Sequence, residues 1–219
     1  MGITRSDELR VIRLLGVLLI GVLMLAGCGR QEASLLPYYH TPDFTPVWKA
    51  PTASKPGHKI PKLSLTNQVN QVVSNETFKN TPYIAGFFFT TCQGICPRLI
   101  KNLKPVENVI SQFPILKLVM HSVVPSVDTP KVLNTYGKTH QLNPNHWQLL
   151  TGEKSEIYDL AIKGYFAEEP IGSKPDDLIH TELVTLIDHQ GYIRGVYRAT
   201  LKSDITKLIK DIKHLISNM

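Results

Sequence analysis

The sequence YIAGFFFT occupies Tyr83–Thr90 and is apolar almost throughout. A continuous apolar run of this length is expected of a central strand that is buried on both faces of a parallel sheet. The run passes directly into Thr91–Pro97, TCQGICP, and apolar residues then recur at helical spacing as far as Ile110. The sequence here therefore predicts a buried strand, a tight turn that carries two cysteines, and an amphipathic helix.

Strands and helices alternate on either side of this unit. The motif Asp128-Thr129-Pro130 predicts a helix start, in which a capping side chain precedes a proline whose missing N–H costs nothing there. A hairpin is predicted around His189–Gly191. The order β-α-β-α-β-α-β-β-α predicts an α/β protein with a thioredoxin-like fold, parallel strands at its centre and extra N-terminal strands. The other predicted strands are Ile60–Leu65, Gln71–Val73, Ile115–Val119, Trp147–Leu150, Leu183–Asp188 and Ile193–Tyr197, and the other predicted helices are Ser155–Lys163 and the segment from Ser203 onward.

The composition fits one folded domain with extensions. The chain has 219 residues, of which 42% are hydrophobic and 19% charged, which argues against wholesale disorder. The formal net charge of +6 is modest and the basic residues are scattered, so no nucleic-acid partner is expected. Three cysteines are too few for a disulfide scaffold.

The first 28 residues have the features of an export signal. Three arginines precede Leu14–Gly27, an uncharged apolar run of 14 residues, which is shorter than the roughly 20 that a membrane-spanning helix needs. The run ends in Leu25-Ala26-Gly27-Cys28, which resembles the bacterial lipobox. We therefore expect cleavage before Cys28, lipid attachment to its sulfur, and a location in the bacterial cell envelope, facing the periplasm. The alternatives are an ordinary signal peptide with a chance cysteine, or a short membrane anchor.

A proline-rich segment separates this signal from the domain. Five of the fifteen prolines lie between residues 29 and 58, a density that opposes helix and central strand alike. The predicted organisation is a signal peptide at 1–27, a lipidated tether at 28–58 and a thioredoxin-like domain at 59–219. The tether also contains Tyr38, Tyr39, Phe44 and Trp48, which we expect to pack against the domain, the alternative being a docking site for a partner.

Cys92 and Cys96 are the candidate reactive residues. Their i, i+4 spacing puts both sulfurs on one side of a helical turn, at the end of a parallel strand where open α/β sheets bind ligands. A helix N-terminus favours thiolate over thiol, and thiolates bind soft metals and attack disulfides. A structural disulfide is the alternative, but so small a loop would add little stability. A thiol peroxidase is a weaker interpretation, which only the nearby Arg98 supports.

A copper site would gain from a third ligand. Two thiolates can hold Cu(I), whereas Cu(II) favours an added imidazole. The chain has eight histidines, and His180 is of interest because it precedes the strand whose start faces the cysteine loop in thioredoxin-like folds. A lone histidine is more often a packing or surface residue than a ligand, so position alone does not decide the matter.

From about residue 60 to its C-terminus the chain resembles the Sco/SenC family of copper-binding, thioredoxin-like proteins. The family's T-x-C-x-x-x-C-P motif is complete at Thr90–Pro97, and its S-V-D-P and D-T-P motifs correspond to Ser122–Pro125 and Asp128–Pro130. Its copper-ligand histidine, usually within D-H-T, matches Ile179-His180-Thr181. The chain departs from these motifs by having Val124 and Ile179 in place of acidic residues.

The resemblance implies a copper metallochaperone rather than an enzyme. Copper, as Cu(I) or Cu(II), would be bound by Cys92, Cys96 and His180 and used in assembling the dinuclear copper centre of cytochrome c oxidase. The implied partners are the oxidase subunit that carries this centre, a periplasmic thiol reductant or copper donor, and the membrane that holds the lipid on Cys28. The alternative is a membrane-tethered thiol-disulfide oxidoreductase in which Cys92 and Cys96 keep partner cysteines reduced.

Overall fold

A computed structural model describes residues 36–113, 116–167 and 181–219 of the chain. The predicted signal peptide, Cys28 and His180 lie outside these residues. Four α-helices are described: α1 Ile95–Ile110, α2 Pro130–Thr139, α3 Lys154–Asp159 and α4 Lys202–Ser217. The described strands are β1 Tyr38–Tyr39, β2 Pro46–Val47, β3 Ser64–Asn67, β4 Val72–Ser74, β5 Tyr83–Phe88, β6 Lys117–Ser122, β7 Trp147–Thr151, β8 Leu183–Ile187 and β9 Ile193–Arg198.

The described strands form a single mixed sheet in the order β2-β1-β9-β8-β5-β6-β7-β3-β4. The predicted α/β fold is confirmed, because β5, β6 and β7 pair in parallel at the centre and every residue of β5 is buried. β8 runs antiparallel to β5, with Val184 opposite Gly86. The carboxyl ends of the parallel strands and the start of β8 therefore lie at the same end of the sheet.

Two apolar clusters cover the two faces of the sheet. One contains the buried faces of α1 and α4, including Leu99, Leu103 and Leu208, each fully buried. The other contains residues of α3 and of the π-helical turn Leu160–Gly164 that continues it, packed on Phe87 and its neighbours. Since strand side chains alternate between faces, Phe88 enters the first cluster and Phe87 the second.

The proline-rich segment joins the sheet from Leu36 onward. β1 pairs with β9 through Tyr39 and Ile193, and β2 pairs with β1. The segment therefore adds two short strands at this edge of the sheet. Arg194 of β9 holds the segment, donating through Nη2 to the Leu36 carbonyl at 2.6 Å and lying 3.9 Å from the Tyr38 ring centroid. These contacts explain why a segment that lacks helix and strand propensity is ordered there.

Three of the four aromatic residues in the segment pack as predicted. Tyr38 meets the Tyr192 ring edge-on at 5.6 Å, Tyr39 packs against the cluster around Phe87, and Phe44 lies against Phe166. The prediction is wrong for Trp48, which is 62% exposed.

Several other elements differ from their predicted bounds, most of all the strand predicted at Ile60–Leu65, which is observed as β3 at Ser64–Asn67. The strand predicted at Ile115–Val119 runs to Ser122, because its parallel pairing with β5 continues as far as Phe88 and Ser122. The helix predicted at Ser155–Lys163 is α-helical only to Asp159 and then widens into the π-helical turn. Within the described part of the chain, no helix is both long and apolar enough to cross a membrane.

Candidate metal centre

The loop between β5 and α1 carries both cysteines. The Cys92 N–H donates to the Phe89 carbonyl at 3.3 Å, which turns the chain after the strand. Gly94 directly precedes α1, which begins at Ile95. Cys96 therefore lies in the first turn of the helix.

The two sulfurs occupy different environments. Cys96 is 4% exposed and belongs to the cluster that contains Phe88 and Leu99, whereas Cys92 is partly exposed at the edge of this cluster. Both are free thiols. The pair therefore presents one accessible sulfur and one that is shielded by the core.

The environment also separates the acidities of the two thiols. Burial alone would raise the pKa of Cys92, but hydrogen bonds from the Cys96 side chain and from three N–H groups at the start of α1 lower it overall. Burial, followed by the hydrogen bond to Cys92, raises the pKa of Cys96 to about 12. Cys96 thus donates its proton toward Cys92, and Cys92 is the sulfur that ionises first.

A buried carboxylate fixes the strand end that leads into the loop. Asp128 is fully buried and accepts hydrogen bonds from the Thr90 N–H at 3.0 Å and from the Thr90 hydroxyl. The Ser122 hydroxyl at the end of β6 donates to the same carboxylate at 2.5 Å. The helix cap of α2 is provided by Thr129, which accepts from the Val132 N–H at 3.4 Å. The motif therefore starts α2 as predicted, while Asp128 has a second role that sequence reasoning missed.

Tyr136 of α2 lies beside the thiol pair. Burial raises the pKa of its phenol, and negative charge on the two cysteine sulfurs and on Asp128 raises it further. Its ring packs at 5.5 Å from Phe88 and at 4.2 Å from His140. The phenol therefore stays protonated and can donate a hydrogen bond beside a thiolate.

Val124 and His121 both lie toward the other face of the sheet. Val124, where the family motif has a carboxylate, packs against the cluster around Phe87. His121 is fully buried, stacks at 5.1 Å on Phe87 and contacts the Gly86 carbonyl through Nδ1. His121 is therefore separated by the sheet from Cys96, which belongs to the opposite cluster, and it does not supply the third ligand.

The structure brings Cys92 and Cys96 together, while the predicted His180 lies outside the described residues. Thr181, which follows it, accepts a hydrogen bond from the Leu183 N–H at 3.0 Å as β8 begins. No group of three or more His, Cys, Asp or Glu side chains within 36–113, 116–167 and 181–219 is arranged to hold a metal ion. The described part of the site is thus a dithiol at the end of the sheet where β8 starts.

Comparison with known families identifies the family of this chain. The SCO1/SenC family model matches residues 51–217. The chain belongs to the SCO1/SenC family. The match covers β3–β9, all four helices and the cysteine loop, and it confirms the resemblance inferred from the motifs.

Individual relatives agree with the assignment. The chain is 28% identical over 160 residues to a SCO1 protein homolog of Bacillus subtilis, covering 71% of this chain and 82% of the relative. It is 30% identical over 152 residues to a protein of Stutzerimonas stutzeri that is named for copper binding, covering 66% of this chain and 72% of the relative. The structure of BsSco, described as a Sco family cytochrome c oxidase assembly protein with a disulfide switch, superposes with a TM-score of 0.62 at 28% identity, covering 71% and 92% of the two chains.

Proposed function

We propose that this protein is a copper metallochaperone that carries copper as cargo and assists assembly of the copper centre of cytochrome c oxidase. The observation that carries the proposal is the hydrogen-bonded pair of free thiols, Cys92 and Cys96, at the N-terminus of α1. Family membership supports it, because relatives are named for copper binding and for cytochrome c oxidase assembly. The partners would be the oxidase subunit that receives copper and a periplasmic copper donor or thiol reductant.

The chemistry of the two sulfurs suits a soft metal. Thiolates are preferred ligands of Cu(I), and both must lose their protons to bind it. Because burial raises the pKa of Cys96 to about 12, copper binding at neutral pH releases the Cys96 proton. Copper affinity should therefore increase with pH, and the accessible Cys92 sulfur would make the first contact with the incoming ion.

We assign the third ligand to His180. Two features support the assignment: the match of Ile179-His180-Thr181 to the family's ligand motif, and the start of β8 at the cysteine end of the sheet. An imidazole adds most to Cu(II), which favours nitrogen ligands and a higher coordination number than Cu(I). His180 would thus widen the range of copper states that the dithiol can hold.

Copper titration of the reduced full-length protein tests this proposal. We expect one copper ion per chain, loss of binding in Cys92→Ser, and a larger loss of Cu(II) than of Cu(I) affinity in His180→Ala. His189→Ala, at the tip of the β8–β9 hairpin, is the matched control and should bind both copper states as the wild type does. Equal binding of each state with and without His180 would contradict the assignment of the third ligand.

A thiol-disulfide oxidoreductase is the second candidate, favoured by the asymmetry of the thiol pair. The Cys92 thiolate would attack a partner disulfide, and Cys96 would then release the partner as a reduced dithiol. The two electrons come from the Cys92–Cys96 pair, which becomes a disulfide and needs an external thiol reductant. Rapid disulfide reduction by a His180→Ala protein whose copper binding is unchanged would favour this function over the chaperone.

We further propose that lipid on Cys28 anchors the protein to a bacterial membrane, facing the periplasm. The Leu25-Ala26-Gly27-Cys28 motif after a short apolar run supports the anchor. Cys28→Ser should release the processed protein from the membrane fraction while its copper binding is retained. If the variant stays firmly in the membrane, the apolar run itself is the anchor.

A further inference from the structure

Trp48 is an aromatic residue that the fold leaves in solvent. It is 62% exposed, and the adjacent Val47 is 37% exposed, whereas the chain's other tryptophan, Trp147, is fully buried. β1 and β2 are antiparallel with Tyr38 opposite Val47, so Trp48 follows the register beside Pro37. The exposed indole therefore lies where the described chain enters the domain, directly after the outermost strand of the sheet.

The sequence on either side of Trp48 is basic. Residues 36–62 contain Lys49, Lys55, Lys59 and Lys62 but a single acidic residue, Asp43, so the segment carries +3 (four minus one). The Asp43 carboxylate is already engaged by the hydroxyls of Thr41 and Thr45. Lys49 and Lys55 are exposed. Val47, Trp48 and Lys49 are consecutive and exposed, and we call them the Trp48 surface, which pairs apolar area with positive charge.

The entry point is fixed to the domain and close to the predicted lipid. Arg194 holds the Leu36 and Pro37 carbonyls at 2.6 and 3.1 Å and pairs with the buried Asp188. Leu36 follows Cys28 by eight positions in the chain. A fully extended chain covers about 3.5 Å per residue, so the entry point lies within about 28 Å of Cys28.

We infer that the Trp48 surface contacts the phospholipid headgroup region of the membrane to which Cys28 is attached. Tryptophan is favoured at membrane–water interfaces because it combines a large apolar body with a polar N–H, and lysines are attracted to anionic headgroups. The inference rests on the proposed lipid anchor and adds an orientation to it. With β2 nearest the membrane, β5 and the cysteine loop that follows it lie four strands away from the contact.

Quenching of tryptophan fluorescence by brominated phospholipids tests the contact. The lipidated full-length protein is reconstituted into vesicles that contain anionic lipid, with and without bromine on the acyl chains. Since Trp147 is buried in the core, the difference in emission between the wild type and Trp48→Phe belongs to Trp48. We expect bromine to remove most of this difference and to leave the emission of Trp48→Phe unchanged.

A tryptophan at the opposite edge of the sheet provides the matched control. Val72 lies on the edge strand β4 and is 72% exposed, so Val72→Trp in the Trp48→Phe background adds an indole of similar exposure. Its emission should be quenched much less than that of Trp48. Equal quenching at the two positions in vesicles that carry the protein through flotation would overturn the contact but not the anchor. Failure of the protein to float with vesicles would overturn both.

Discussion

Asp128 joins the end of one central strand to the end of the next, because its carboxylate accepts from the Thr90 N–H at 3.0 Å and from the Ser122 hydroxyl at 2.5 Å. Thr90 stands two residues before Cys92, so the position of the accessible sulfur depends on Asp128, which is 38 positions from Thr90 in the chain. The carboxylate is fully buried, and its hydrogen bonds are what make its burial tolerable.

Removal of the Asp128 charge should weaken both the fold and the copper site. Hydrogen bonds to a buried charged group contribute about 1.5–3 kcal/mol each, so we expect Asp128→Asn to lower the free energy of unfolding by about 2 kcal/mol. Cu(I) affinity should fall as well, because the loop loses its anchor at Thr90. Asp159→Asn, which alters an exposed ion pair with Lys163, should cost less than about 1 kcal/mol and leave copper binding unchanged.

Urea unfolding and copper titration of the two variants measure these effects. A double-mutant cycle between Asp128→Asn and Thr90→Val isolates the interaction, and we expect a coupling energy of about 1–2 kcal/mol. Additive effects within about 0.3 kcal/mol would show that Asp128 does not act through Thr90.

The hydrogen bond between the thiols can be tested by varying its donor. Cys96→Ser keeps a donor at this position, whereas Cys96→Ala removes it. Because this hydrogen bond contributes to lowering the pKa of Cys92, the pKa should be higher in the alanine variant than in the serine variant. Rates of Cys92 alkylation by iodoacetamide as a function of pH report the difference. In the converse variant, Cys92→Ser, alkylation of Cys96 should be slow at neutral pH, since burial keeps its thiol protonated. Identical pH profiles for the serine and alanine variants would argue that the helix N-terminus alone sets the acidity of Cys92.

The part of the site that could be predicted from sequence is the part made by neighbours in the chain. Cys92 and Cys96 are four residues apart, so the short turn that leads into α1 brings their sulfurs together, although only Cys96 lies in the helix. The contact between Asp128 and Thr90 could not be foreseen in this way, because it depends on the parallel register that sets Phe88 beside Ser122. Because Asp128 directly precedes the helix cap Thr129, the sequence suggested only a role at the helix start, and not its hydrogen bonds to Thr90 and Ser122.

The same limit applies to the N-terminal segment. The proline content correctly indicated that residues 36–58, the described part of the predicted tether, lack helix and central strand, but it could not indicate that the segment lies along the sheet edge. That placement depends on Arg194, whose guanidinium donates hydrogen bonds to the Leu36 and Pro37 carbonyls, more than 150 positions earlier in the chain. The exposure of Trp48 is a consequence of this placement, because Trp48 comes directly after β2, the outermost strand of the sheet.

His121 should make the fold sensitive to acid. Burial lowers the pKa of its imidazole from 6.5 to about 4, with the hydrogen bond to Gly86 opposing the shift, so the folded protein holds it neutral. The unfolded chain takes up a proton below about pH 6.5, which stabilises the unfolded state as the pH falls. The free energy of unfolding should therefore decrease by about 2 kcal/mol between pH 7 and pH 5 through this residue.

Urea unfolding of the wild type and of His121→Leu at both pH values separates this effect from other titrating groups. The variant should lose about 2 kcal/mol less than the wild type over this interval, whatever its stability at pH 7. An equal loss in both proteins would mean that the imidazole is solvated or protonated in the folded state.

The clasp at Arg194 should control whether the N-terminal segment stays on the domain. The guanidinium pairs with Asp188 at 3.1 Å, and the two side chains are only 11% and 3% exposed. Removing one partner of a buried pair leaves the other charge uncompensated, so Arg194→Ala should lower the free energy of unfolding by about 3–5 kcal/mol. It should also increase hydrogen exchange and proteolysis between Leu36 and His58, because the Leu36 and Pro37 carbonyls lose their donors.

Arg198→Ala, at the exposed end of the same strand, should change the free energy of unfolding by less than about 0.5 kcal/mol and leave the segment protected. Copper stoichiometry should stay the same in both variants, since the cysteine loop lies on other strands. If Arg194→Ala lost stability without greater exchange in the segment, the guanidinium would support the β8–β9 hairpin rather than hold the N-terminal segment on the domain.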